Sequence, residues 1–177
     1  TPTDVLWVTG ACLAIRASVW NSLEGLDDRF FAHMEEIDLC WRMQLEGWKV
    51  TVVPESMVYH LGGGTLPKNS PQKLYLNYRN NILLLDNNLA RTIGRRKAAL
   101  RVFCRKILDG CSAMVYLLSF RMDFFKAVWR AHRDASRLIA GKQPGNDAAH
   151  GHGRHNVAGL YDGCMIPRAL LGIKCIK

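Results

Sequence analysis

The distribution of charge along this chain constrains its architecture more than any single motif does. Residues 1–90 carry 7 Lys/Arg against 10 Asp/Glu, residues 91–142 carry 13 against 3, and residues 143–177 carry 4 against 2. The net charges of the three segments are −3, +10 and +2. The acidic and basic segments are therefore expected to do different jobs. In the basic segment the cations alternate with large apolar residues, which is the pattern of long amphipathic helices.

Composition places the chain among folded globular proteins of one or two domains, at 49% apolar and 22% charged residues. Its longest apolar run, Ala113 to Phe120, falls well short of the roughly 20 residues that span a bilayer. The chain opens at Thr1 and closes at Lys177 inside an apolar-basic run, so both ends read as cut. Cys12, Cys40, Cys104, Cys111, Cys164 and Cys175 form no CxxC pair. Cys40 and Cys104 sit in apolar helical patterns, where a thiol behaves as a small hydrophobe. No disulfide framework is expected, which points to a cytoplasmic location.

Val5–Thr9 and Ala11–Ile15 read as short strands broken at Gly10, and Ala17–Leu23 as a short helix stopped by Gly25. Leu26 to Phe31 is a turn leading into aromatic anchors; Phe30, Phe31 and Trp41 are expected in the core. A helix follows over about Glu36–Glu46, with Ile37, Cys40, Trp41 and Leu45 on one face and Gly47 as its stop. Lys49–Val53 is a β-branched strand ended by Pro54, and Met57–Tyr59 a second extended piece reaching His60. Residues 61–71 are loop, and Gln72 to about Leu85 is helical. Two long amphipathic helices are expected over Thr92–Ser119 and Met122–Ala140. Residues 142–154 form a Gly, Asn, His and Pro linker, and His150, His152 and the following His155 are spaced too loosely to read as a metal site. The expected segments are 1–90, 91–142 and a linker with a cut tail over 143–177.

On local physics alone, Glu35, Glu36 and Asp38 are acids at a helix start, where they favour the positive end of the dipole. Gly62-Gly63-Gly64 alone would be a turn. The order of motifs changes both readings. Trp7-Val8-Thr9-Gly10-Ala11-Cys12 is followed by Gly25-Leu26-Asp27-Asp28-Arg29-Phe30-Phe31, then by Glu35-Glu36-Ile37-Asp38-Leu39-Cys40-Trp41-Arg42. Val53-Pro54-Glu55 and Tyr59-His60-Leu61-Gly62-Gly63-Gly64-Thr65 complete the series. In this order and spacing, residues 5 to 88 resemble the C-terminal half of family 2 inverting glycosyltransferases of the GT-A fold, the rhamnosyltransferase-like group. Two departures stand out. The family usually has Glu-Asp where this chain has Glu35-Glu36, and its N-terminal half, with the nucleotide-binding strands and an Asp-x-Asp metal motif, is not in this sequence.

The resemblance implies an α/β fold, the C-terminal half of a GT-A domain, followed by the basic helical region. It implies that Glu36 is the base that takes the proton from an acceptor hydroxyl as that oxygen attacks the sugar. Glu35 would orient the acceptor, and Trp7, Thr9 and Gly10 would line the sugar and acceptor side. His60 would help the Asp-x-Asp carboxylates hold a divalent cation, Mg or Mn. Gly62, Gly63, Gly64, Thr65 and Lys68 would form a loop over the diphosphate. The implied partners are a nucleotide-sugar donor and a glycan or lipid-linked acceptor. Tyr75, Arg79 and Asn80 are expected to pack a closing helix, without a catalytic role.

For residues 91–142, cations beside large apolar side chains suit a helix lying on an anionic membrane, at the inner face of the plasma membrane. A helical appendage packed on its own domain is the equally weighted alternative. A nucleic-acid-binding module is the competing function from another class, but no recognition motif appears and no nucleic acid is expected as a partner. A degenerate transferase acting as a scaffold is the third reading.

Overall fold

The structure is a computed structural model that describes residues 1–61, 67, 69–141 and 157. Among these, helix dominates. Helix α1 covers Ala17–Ser22, a single 3-10 turn Asp28–Phe30, and α2 Glu35–Leu45. Three long helices follow: α3 (Pro71–Ile93), α4 (Arg95–Leu118) and α5 (Met122–Ala140). The only sheet among the described residues pairs β1 (Thr3–Asp4) antiparallel with β2 (Thr51–Val52), Thr3 opposite Val52 and Asp4 opposite Thr51.

The α/β expectation is thus met only in part. The strands expected over Val5–Thr9 and Ala11–Ile15 do not form, and the Lys49–Val53 strand shrinks to two residues. A strand persists only where a neighbour takes its backbone bonds. The Val5 N–H still donates to the Val50 carbonyl at 2.9 Å. Beyond it, the apolar residues Val5, Val8 and Ile15 pack against the cluster of Val19, Leu39, Cys40 and Val50 instead of continuing a ladder.

Helix α3 organises the rest. The Ser70 hydroxyl caps it by accepting from the Lys73 N–H at 3.1 Å, and Pro71 follows at the first helical position. The helix was expected to end near Leu85 and instead runs to Ile93, so the boundary drawn at residue 90 falls inside it. One side of α3 presents Leu83, Leu84 and Leu89 to Phe30, Trp41 and Leu45. Another presents Tyr75 and Leu76 to Ala127 and Ala131 of α5. Burying one such large side chain stabilises the fold by roughly 1.5–3 kcal/mol.

Phe30 and Trp41 lie in the core as expected, but Phe31 does not: it is 81% exposed. Gly25 ends the turn after α1 at φ +68°, and a Cβ there would stand 2.8 Å from the Trp20 indole, so only glycine fits.

Helices α4 and α5 form a hairpin against α3. In α4 only Ala98 and Asp109 are buried. The Asp109 carboxylate accepts from Arg105 Nε at 2.7 Å and lies 3.1 Å from His132 Nε2 of α5, joining the two helices. No helix among the described residues is long and apolar enough to cross a membrane.

Candidate active site

Of the residues singled out by sequence, Glu35, Glu36 and Gly10 come together at the start of α2, and the chain enters that helix through an unusual backbone. Phe31 has φ 62° and ψ −58°, and the Ala32 N–H bonds the Phe30 carbonyl at 2.7 Å. Together these make a γ-turn of the rare, strained kind. His33 and Met34 follow at φ 70° and 74°, so left-handed residues lead directly into Glu35. Each such non-glycine residue costs on the order of 1–3 kcal/mol and persists only where its surroundings hold it.

Two side chains of α3 hold it. Asn80, fully buried, donates from Nδ2 toward the carbonyls of Phe30, Ala32 and His33 at 3.0, 2.7 and 2.7 Å. Arg79 donates to the carbonyls of Arg29 and Phe30 at 3.0 and 2.6 Å, and its Nε reaches Asn80 Oδ1 at 2.9 Å. The amide of Asn80 therefore serves as the template for the turn that presents the Glu35-Glu36 pair.

A second polar network fixes the other side of α2. Asp38 is fully buried and accepts from Arg42 Nε at 2.6 Å, Asn87 at 3.0 Å and Asn88 at 2.7 Å. Arg42 also donates to the carbonyls of Leu23 and Gly25, at 2.7 and 2.8 Å, tying α1 to α2. Asn87 accepts from Arg29 at 2.7 Å and donates to Asp27 at 3.1 Å. Burial alone would push the Asp27 carboxyl up; the side-chain and backbone bonds from Arg29, its charge and the Asn87 amide outweigh this and hold it below the ordinary value. Asp38 is thus a structural ion-pair residue rather than a general helix-start acid.

A third face of α2 carries Glu36, Cys40 and Gln44 in a row at i, i+4 and i+8. Segment 5–10 lies along this row. Gln44 Nε2 donates to the carbonyls of Val5 and Leu6 at 3.1 and 2.8 Å, and the Val8 backbone bonds the Cys40 thiol. At the end of the row, a Cβ on Gly10 would sit 3.7 to 3.9 Å from Cβ, Cγ and Cδ of Glu36. A side chain at position 10 would therefore stack on the carboxylate. The Cys40 thiol is pushed up by burial first and by the Glu36 charge as well, against the lowering bond from Val8.

Glu35 Oε2, Glu36 Oε2 and His33 Nε2 are buried atoms without a hydrogen-bond partner among the described residues. Unpaired buried oxygens are costly, and a ligand hydroxyl is a suitable partner for a carboxylate of this kind.

Of the other expected residues, Trp7 and Thr9 are exposed, and the contact from their segment to Glu36 runs through Gly10. His60 is exposed at the end of an irregular stretch. Among the described residues no three His, Cys, Asp or Glu side chains gather to hold a metal. Gly62, Gly63, Gly64, Thr65 and Lys68 lie outside the described residues, as do His150, His152 and His155.

Sequence reasoning gave Arg79 and Asn80 a packing role only, and it missed Asn87 and Asn88. The available signal was three asparagines, poor helix formers, on an otherwise apolar helix side; a buried amide there needs a partner.

Residues 3–80 match a family described as "Glycosyltransferase like family 2". The chain is 27% identical over 136 residues to the N-acetylglucosaminyl-diphospho-decaprenol L-rhamnosyltransferase of Mycobacterium tuberculosis, covering 77% of this chain and 41% of that relative. The same match is found in a second strain of that organism. It is 34% identical over 58 residues to the Rhamnosyltransferase WbbL of Escherichia coli, covering 33% of this chain and 22% of that relative. The chain thus spans about two fifths of the mycobacterial relative's length. No solved structure matches the chain significantly. Residues 3–80 are thus similar to glycosyltransferase family 2, and parts of the chain are similar to two rhamnosyltransferases.

Proposed function

We propose that this chain is the acceptor-side segment of an inverting glycosyltransferase, with Glu36 as its catalytic base. The supporting observation is the buried Glu36 Oε2 beside Gly10, without a hydrogen-bond partner among the described residues, on a helix entered through a strained and clamped backbone. In the proposed step the acceptor oxygen attacks C1 of the donor sugar while its proton passes to the Glu36 carboxylate. The new C1–O bond forms opposite the departing oxygen, and the C1–O bond to the diphosphate breaks. The nucleoside diphosphate leaves with the bonding electron pair. In this reading Glu35, whose Oε2 is also without a partner among the described residues, orients the acceptor.

The relatives' names suggest the first substrates to try: a nucleotide-activated rhamnose and a polyprenyl-diphosphate-linked sugar. This would place the reaction in cell-surface polysaccharide or glycolipid synthesis. The test is the anomeric configuration of the product, read by proton NMR with the full-length protein. Inversion supports the reading, whereas retention removes Glu36 from the role of base.

A divalent cation on the diphosphate is a separate proposal. His60 would be one ligand and the others would come from outside the described residues, so no part of the step above depends on it. In the full-length protein, His60→Ala is then expected to raise the Mg²⁺ or Mn²⁺ concentration needed for half-maximal turnover. An unchanged requirement excludes His60 as a ligand.

A further inference from the structure

Among the described residues, helix α4 packs on the bundle with one face and leaves the opposite face uncovered. Leu100, Phe103, Ile107, Met114 and Leu118 recur at helical spacing and are 62%, 61%, 51%, 51% and 73% exposed. They lie about half a turn away from the buried Ala98 and Asp109. The stripe continues into the α4–α5 turn, where Phe120 is 91% exposed. At roughly 1.5 Å per residue the 24-residue helix is about 36 Å long, so this is an extended apolar surface rather than an isolated side chain.

Cations frame it. Arg95, Arg96 and Lys97 are exposed at the start of α4, and Lys106 further along. Of the three acids of the region, Asp109 is buried with Arg105 and His132, Asp134 is paired with Arg133, and Asp123 at the start of α5 is exposed, one acid against the four exposed cations of α4. We propose that this face of α4 is a docking surface for an anionic lipid bilayer, lying in the interfacial plane with the apolar stripe below and the cations at headgroup level. Charge decides between occupants. A second copy would bring two +10 segments together, and a nucleic acid would meet apolar side chains at the centre of the face. An anionic bilayer matches both the apolar centre and the basic flank. This inference does not depend on the transferase reading.

The test is flotation of the 177-residue chain with vesicles. One set is pure phosphatidylcholine, and the other contains about one quarter phosphatidylglycerol, giving the surface its negative potential. Partitioning onto the anionic vesicles is expected to be at least about tenfold stronger and to weaken in high salt. The double variant Ile107→Glu, Leu118→Glu should lose at least about tenfold on anionic vesicles, because charge is being placed in the interface. Both positions are exposed, so circular dichroism should stay unchanged; if that variant misfolds, Phe103→Ser serves as the milder probe of the same face. Replacing Arg95, Arg96 and Lys97 by Glu should remove the preference for anionic lipid. Equal partitioning to both vesicle types, or wild-type partitioning of the stripe variants, overturns the proposal. So does a dimer by light scattering that Ile107→Glu dissociates without any vesicle binding, or binding to DNA that leaves vesicles uncompeted.

Discussion

Replacing Asn80 by alanine tests whether the entrance to α2 is held from α3. In the native fold its amide serves three carbonyls at 2.7 to 3.0 Å. Arg79 still reaches the Phe30 carbonyl after the change, so Ala32 and His33 lose their partner. A polar group left unpaired in a buried setting costs about 1–3 kcal/mol. Ala32 and His33 are partly exposed, so water recovers some of that bonding. The expected loss is about 2–4 kcal/mol, a large share of the 5–15 kcal/mol typical of a folded domain. Urea unfolding followed by circular dichroism measures it, with the slope checked for constancy. Asn81→Ala is the control: it removes a neighbouring amide whose Oδ1 has no partner among the described residues. A loss under about 1 kcal/mol for Asn80→Ala, or an equal loss for the control, would refute the clamp.

Two further predictions concern titration. Asp27 has a folded-state pKa below its ordinary 3.8, so its contribution to stability is complete above that value and is lost as pH falls through the folded one. Acid unfolding should therefore be less steep in Asp27→Asn, and an unchanged acid limb would assign the pH dependence elsewhere. Cys40, buried and with its thiol pushed up, should resist maleimide at neutral pH while exposed Cys12, Cys104 and Cys111 react; labelling of Cys40 in the native protein would contradict the packing of segment 5–10 on α2.

The long helices could be read from sequence because their signals are local. Gly25 marks a forced left-handed turn and the 3.6-residue apolar period covers α2, α4 and α5, while α3 starts at Pro71, one residue before the Gln72 expected. Two errors have a common cause in tertiary contacts. Asp86-Asn87-Asn88 looks like a helix end, yet Asn87 and Asn88 reach Asp38 across the fold and α3 continues through them. The alternating residues of 5–15 look like strands, yet they pack on a helix face. For the site, sequence singled out Glu35, Glu36 and Gly10 from a resemblance. The γ-turn at Phe31 and its Asn80 support could not be read locally, since positive φ at Phe and Met has no propensity signal. Phe31 was expected in the core for the same reason: hydrophobicity predicts burial only when the backbone lets the side chain turn inward.

The most direct test of the central claim is turnover by Glu36→Gln in the full-length protein, with donor binding measured in parallel. The substitution keeps the shape of the side chain and the Gly10 contact while removing the proton acceptor. Loss of a general base typically costs about 10²–10⁴-fold in rate, so kcat should fall by that factor while the donor Kd changes less than about threefold. A wild-type kcat for Glu36→Gln would contradict the account, and would mean that the carboxylate beside Gly10 does not take the proton.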